Sequence, residues 1–79
     1  MRLDKFLKVS RIIKRRTVAN EACDAGRVLI NDQVAKASTH VKPGDVLEVQ
    51  FGTRTVKAEV IRLEETTKKE DAKEMFRLI

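Results

Sequence analysis

The spacing of apolar residues changes from a helical to a strand period at Gly26, and that change constrains the fold more than any other feature. Before Gly26, apolar side chains recur at helical spacing, as Leu3, Phe6 and Leu7 do. After it, β-branched and apolar residues stand in short runs bounded by turn-forming residues, which is typical of strands. This change predicts an α+β fold that begins with helices, and a length of 79 residues predicts a single domain, 1–79.

Two helices are predicted before the change of period. The first starts near Leu3, and the isoleucine pair at 12–13 marks a buried bend, so one continuous helix over 3–25 is not expected. The second spans about 16–25, and Gly26, which is free to adopt a positive φ, ends it. Its apolar stripe consists of small side chains, namely Ala19, Ala22 and Cys23.

The remainder predicts a small antiparallel sheet of about four strands and a short C-terminal helix. A first hairpin joins 28–30 to 34–35, and a second joins 46–51 to 55–63 around Gly52-Thr53, where a leading glycine suits a type II′ turn. The C-terminal helix is expected to be capped at Thr66 or Thr67. It would pack three side chains onto the sheet: Ala72, Met75 and Phe76.

Positive charge is concentrated in the first half of the chain. Residues 1–42 carry ten Lys and Arg against four Asp and Glu, a net +6, whereas 43–79 carry seven against eight, a net −1. Seven of the basic residues stand in the first sixteen positions, with Asp4 as the only acid there. Such a field attracts nucleic-acid phosphates through Coulomb attraction and counterion release. Solubility, the alternative explanation, does not require the two signs to be separated.

The basic side chains of the two helices form the predicted RNA-binding site, centred on the junction between the helices. Arg15 and Arg16 stand at the start of the second helix, where backbone N–H groups already favour phosphate. A guanidinium can also bind phosphate or a guanine edge through two hydrogen bonds. The candidate RNA-binding residues are Arg2, Lys5, Lys8, Arg11, Arg15, Arg16 and Arg27. For Lys36 and Lys42, a solvated surface charge is an equally good explanation.

The sequence predicts no catalytic group, metal site or cofactor. His40 is expected in a surface turn, and Cys23 as a small core residue, with a reactive thiol as the alternative. All three phenylalanines, Phe51 included, fall on apolar faces, so backbone and shape recognition of structured RNA is favoured over base stacking. Neither a membrane span nor a signal peptide is expected, and a single cysteine suits the cytoplasm.

Four segments within about residues 1–50 share a pattern with a known family. They are Arg2-Leu3-Asp4-Lys5, Arg15-Arg16-Thr17 with Ala19, Gly26-Arg27-Val28-Leu29-Ile30-Asn31, and Val41-Lys42-Pro43-Gly44-Asp45. Together they resemble the RNA-binding domain named after small-subunit ribosomal protein four, the S4 domain, and leave 46–79 as an added hairpin and C-terminal helix. Many such domains have Ser at position 15 and Gly at position 32 or 33, so the helix cap and the turn depart from the pattern here.

The whole chain resembles the stand-alone bacterial branch of that family, which includes ribosome quality control factor P and the fifteen-kilodalton heat-shock protein. The resemblance implies a non-enzymatic factor that binds large-subunit rRNA and tRNA on a large ribosomal subunit with a stalled nascent chain. It implies that the factor supports tailing of that chain together with a tailing protein, with Arg2 and Arg16 as principal RNA contacts. We expect a monomer. The alternatives are a recycling factor for heat-damaged subunits, an accessory module of an RNA-modifying system, and a protein-docking module.

Overall fold

The computed structural model describes residues 1–65, 68 and 70–79. Two helices, α1 (Leu3–Val9) and α2 (Arg16–Asp24), precede a five-stranded antiparallel sheet with the strand order β2-β1-β3-β4-β5. The strands are β1 (Val28–Ile30), β2 (Gln33–Val34), β3 (Val46–Phe51), β4 (Arg54–Val60) and β5 (Phe76–Leu78). The predicted α+β class and the two N-terminal helices are confirmed.

Each helix is followed by a residue with positive φ, which turns the chain away from the helix axis. After α2 this residue is Gly26 at 74°, and the Arg27 N–H donates to the Ala22 carbonyl at 2.9 Å, as in a Schellman motif. After α1 it is Arg11 at 65°, whose N–H donates to the Lys8 carbonyl at 3.1 Å. The expected bend before α2 is therefore confirmed, and it begins one residue earlier, at a position that glycine usually takes.

The core lies between the helices and one face of the sheet. Leu3, Phe6 and Leu7 of α1 are fully buried, as their spacing predicts. On α2 the small side chains of Ala19 and Cys23 are buried, so the helix with large side chains packs against the helix with small ones. The sheet and the C-terminal segment complete this core with Val28, Leu47, Val49, Val60 and Met75.

The first hairpin forms its tight turn without glycine. Asn31 and Asp32 have φ values of 51° and 69°, the two positive values that a type I′ turn requires. The Asn31 side chain also donates to Asp45 Oδ1 at 3.2 Å, and its Oδ1 accepts the Val46 N–H at 2.9 Å. These bonds fix the turn against β3. In the second hairpin Gly52 has a φ of 59°, in agreement with the predicted type II′ turn.

The C-terminal segment differs from the prediction. Ala72–Glu74 forms one 3₁₀ turn instead of a helix, and Phe76–Leu78 pairs with β4 as a fifth strand. A helix at this position would leave the N–H and C=O groups along the β4 edge without strand partners. Sheet pairing instead continues to the last residue, where the Ile79 N–H donates to the Lys57 carbonyl at 3.0 Å.

Two side chains predicted to pack this segment onto the sheet, Ala72 and Met75, are buried, and Phe76 is partly buried against the core. The predicted helix cap at 66 or 67 lies outside the described residues. Phe51 is a further correction, since its side chain is 40% exposed instead of lying in the core. It is the last residue of β3, opposite Arg54 at the hairpin end, beyond the buried cluster.

Candidate nucleic-acid interface

A buried carboxylate holds two arginines together where the two helices meet. Asp4 is 3% exposed, and its Oδ1 lies 3.3 Å from Arg2 Nε while its Oδ2 lies 3.3 Å from Arg16 Nε. A second N–H of each guanidinium donates to the opposite oxygen at 3.4 Å, and the Lys5 backbone N–H donates to Oδ1 at 2.8 Å. We call this cluster of Arg2, Asp4 and Arg16 the seam.

The seam carries a net positive charge at neutral pH. Burial acts to raise the pKa of Asp4, but the hydrogen bonds from Arg16 and the Lys5 N–H, with the charges of Arg16 and Arg2, outweigh it and lower the pKa below its ordinary 3.8. One anion thus stands between two permanent cations. Both arginine side chains are 47% exposed, so the N–H donors that Asp4 does not use face solvent.

Backbone pairing fixes Arg2 although it precedes α1. Arg2 forms an isolated antiparallel bridge with His40, which is exposed as predicted. The N–H groups of residues 3 and 4 donate to the carbonyls of Thr39 and Ala37, at 2.7 and 3.2 Å. The first N–H groups of α1 are therefore already satisfied, and this helix start does not offer them to an anion.

At the start of α2, unlike that of α1, the first N–H groups are left open. Arg15 precedes it in an extended conformation (φ −121°, ψ 133°) and forms no side-chain cap. Because the first N–H groups of a helix have no intrahelical acceptor, those of α2 remain available to an anion. A groove of about 400 Å³ opens beside them, lined by Asp4, Arg16, Thr17, Asn20 and Glu21. This is where the sequence predicts the centre of the site.

The other candidate residues fall into two groups. Lys5 forms an ion pair with Glu65, and the hydrogen bond from Lys5 lowers the pKa of that exposed carboxyl. Four candidates are exposed and have no ion pair among the described residues: Lys8, Arg11, Arg15 and Arg27. Arg27 follows the far end of α2, about 14 Å along this nine-residue helix, so it is not brought to the seam.

In the second half of the chain, carboxylates pair with several cations. Arg62 contacts Glu74 at 2.7 Å, and Lys57 lies 4.0 Å from Glu48 across the β3–β4 pair. Arg77 pairs with Glu59 in the same way across β4 and β5. The positive field is therefore concentrated on the two helices, as the charge distribution predicts.

Sequence reasoning missed the role of Asp4. It assigned this side chain only to the dipole of the first helix, whereas the structure makes it the shared acceptor of the seam. A signal was present, since Asp4 is the one acid among sixteen residues and stands three positions before Leu7, on the side of the helix that is buried. The pairing of Lys5 with Glu65 had no local signal, because sixty positions separate the two residues.

The remaining reactive side chain is buried. Burial, with the nearby carboxylates of Asp4 and Asp24, raises the pKa of Cys23 to about 11, so the thiol is protonated at neutral pH. This agrees with the predicted core role. Within the described part of the chain, no cluster of three or more His, Cys, Asp or Glu side chains is placed to hold a metal ion. No helix there is long and apolar enough to cross a membrane.

Comparison with known proteins gives the following similarities. Residues 1–47 match the family model of the S4 domain. The RQC P-site tRNA stabilizing factor of Bacillus subtilis is 58% identical over 79 residues, 100% of this chain and 92% of the relative. The factor of the same name from Listeria monocytogenes is 56% identical, over 100% and 86%. The trimeric structure of Vibrio cholerae heat shock protein 15 superposes with a TM-score of 0.92 at 26% identity, over 100% of this chain and 81% of the other.

Proposed function

We propose that this chain, which belongs to the S4 domain family, is a non-enzymatic RNA-binding factor of ribosome-associated quality control. It binds large-subunit rRNA and tRNA on large ribosomal subunits obstructed by a nascent chain, and it supports C-terminal tailing of that chain by a partner protein. The support is the high identity, over the full length of this chain, to relatives named for stabilizing P-site tRNA. We place its action in the cytoplasm.

The seam is the observation that carries the proposal. Arg2 and Arg16 reach one surface point from separate parts of the chain, and Asp4 holds both before any ligand arrives. Arg16 and the open start of α2 line one groove, and Arg2 is held beside it on the other oxygen of Asp4. Pre-ordered forked donors beside a helix start suit the phosphates of a folded RNA.

The surrounding cations extend this surface. Lys8, Arg11 and Arg15 are exposed and unpaired among the described residues, so they are available to further phosphates. Lys5 joins them only by leaving Glu65. Neutralising about five phosphates gives log affinity a slope of about −4 against log salt concentration. The S4 domain thus binds as a positive platform and not as a base-stacking surface.

The test combines binding with genetics. Purified large subunits carrying a nascent chain on tRNA should bind the protein with that salt slope, and Arg16→Ala should weaken the binding. Cells that lack the protein should lack C-terminal tails on stalled chains. Binding without salt dependence contradicts the phosphate mechanism, and unchanged tails contradict the role in tailing.

Recycling of heat-damaged subunits is the second candidate function. It is favoured by the close superposition on the Vibrio cholerae heat shock protein. Under this function, loss of the protein leaves tails intact and slows recovery of subunits after heat shock. Measuring both tails and subunit recovery in a strain that lacks the protein therefore distinguishes the two functions.

We propose that the protein acts as a monomer, although the superposed Vibrio cholerae structure is trimeric. Both arginine side chains of the seam are about half exposed in the single chain, so RNA contacts them without a contribution from a second copy. Light scattering at micromolar concentration should give the mass of one 9.0 kDa chain. A stable trimer contradicts this expectation.

A further inference from the structure

A second groove lies beside the first, toward the C-terminal end of α2. Its volume is about 460 Å³, within the 300–1,000 Å³ typical of small-ligand clefts. One wall is α2 with the glycine that follows it, and the other is the segment 34–38. Arg2 of the seam also lines the groove. We call this the side groove, and it is lined among others by Asn20, Cys23, Asp24, Val34, Lys36 and Ser38.

Asn20 joins the side groove to the seam, because its side chain lines both grooves. It is partly buried, and its amide has no hydrogen-bond partner among the described residues. An amide offers two N–H donors and one acceptor oxygen, and none of these atoms of Asn20 is buried, so they are open to a ligand. A ligand that lies across both grooves would satisfy them.

The charges around the side groove favour a ligand whose phosphates stay at the edge while its uncharged part lies inside. Asp24 lines the groove and repels a phosphate from its interior. Arg2 and Lys36 are exposed at the groove and attract phosphates at its edge. Val34, which is 66% exposed, offers an apolar contact to a ring. An apolar surface with an unpaired amide inside and cations outside suits one nucleotide whose base has left the helix stack.

We propose that the side groove binds a single unpaired nucleotide of the RNA, with Asn20 hydrogen-bonded to the base edge. The inference rests on the proposed RNA binding at the seam and adds a sequence-sensitive contact to it. Adenine is the base whose edge matches a side-chain amide through two hydrogen bonds. The preferred RNA is therefore a duplex interrupted by an unpaired nucleotide, with adenine favoured.

The test uses short RNA hairpins that are fully paired or contain one unpaired A, C, G or U. The wild-type protein should bind at least one interrupted hairpin about tenfold more tightly than the paired one. Asn20→Ala should remove that preference, so that this variant binds the interrupted and the paired hairpin equally well. Because alanine favours a helix more than asparagine, the melting temperature should not fall.

A charge-matched pair of variants distinguishes blocking of the side groove from a general loss of positive charge. Ser38→Glu and Thr53→Glu both place one carboxylate at an exposed position, the first in the side groove and the second in the β3–β4 turn. Only Ser38→Glu should abolish the preference for the interrupted hairpin. Equal binding of all hairpins by the wild type, or a preference that survives Asn20→Ala, overturns the inference and leaves the proposed function standing. Binding to neither hairpins nor large subunits contradicts the proposed function itself.

Discussion

Replacing Asp4 by asparagine keeps the size of the side chain and removes only the charge that holds the two arginines of the seam. In the wild type, both guanidinium groups are held on this buried carboxylate before RNA arrives. In the Asp4→Asn variant they are free to adopt other rotamers. The net charge of the protein also rises from +5 to +6. The two consequences act on RNA binding in opposite directions, which makes the variant informative.

The size of the effect follows from the geometry. Ordering a long side chain on binding costs about 0.5–1.5 kcal/mol, so two freed arginines weaken binding by about 1–3 kcal/mol, or roughly 5- to 150-fold. Folding is affected as well. Hydrogen bonds to a charged group contribute about 1.5–3 kcal/mol when buried. The guanidinium groups are 47% exposed and water screens them, so we expect a loss of only about 1–2 kcal/mol in the free energy of unfolding.

The assays are the affinity for large ribosomal subunits at fixed salt and thermal unfolding followed by circular dichroism. For a domain of this size, the expected loss lowers Tm by about 4–16 °C. Because the pKa of Asp4 is lowered on folding, its ionised form adds stability above the ordinary value of 3.8, and that contribution is lost as pH falls through the lowered pKa. The difference in Tm between wild type and variant is therefore largest at neutral pH and becomes smaller as pH falls below 3.8.

Asp71→Asn provides the matched control, because it makes the same change of charge at an exposed residue in the second half of the chain. It should bind subunits as well as the wild type or slightly better. If Asp4→Asn also binds as well as this control, the arginines act only through their charge, and the pre-ordering argument is refuted. A Tm difference that persists unchanged in acid refutes the electrostatic origin of the stabilisation.

Three further predictions concern single residues. Arg16→Ala should weaken subunit binding by about 1–3 kcal/mol, and Arg16→Lys should not restore it, because lysine lacks the fork of donors; full binding by either variant removes Arg16 from the site. Arg11→Gly should raise stability by about 1 kcal/mol, measured by urea unfolding, because φ at this position is 65°; a loss of stability would show that the side chain is needed for folding. Leu7→Ala should lower stability by about 2–5 kcal/mol, since Leu7 is fully buried, and an unchanged Tm would contradict its place in the core.

Much of the fold could be predicted from local patterns. The two helices, their separation at a bend and both hairpin turns follow from the spacing of apolar residues and from the residues that tolerate positive φ. The prediction failed at the C-terminus. Whether Phe76–Leu78 continues a helix or forms a strand depends on the unpaired edge of β4, which lies sixteen or more positions earlier in the chain. Periodicity within the segment does not contain that information.

For the candidate site as well, some features could be predicted from local sequence and others depend on the tertiary structure. The sequence by itself determined that the positive charge lies in the first half of the chain, and it predicts Arg2 and Arg16 as anion-binding residues, because charge and helix starts are local properties. Only the tertiary structure decided that one buried carboxylate, Asp4, holds both arginines. It also decided that Lys5 is paired with Glu65 and that Asn20 stands between two grooves. The physical reason is that hydrogen bonds and ion pairs act over a few ångströms, and folding sets which distant residues come that close.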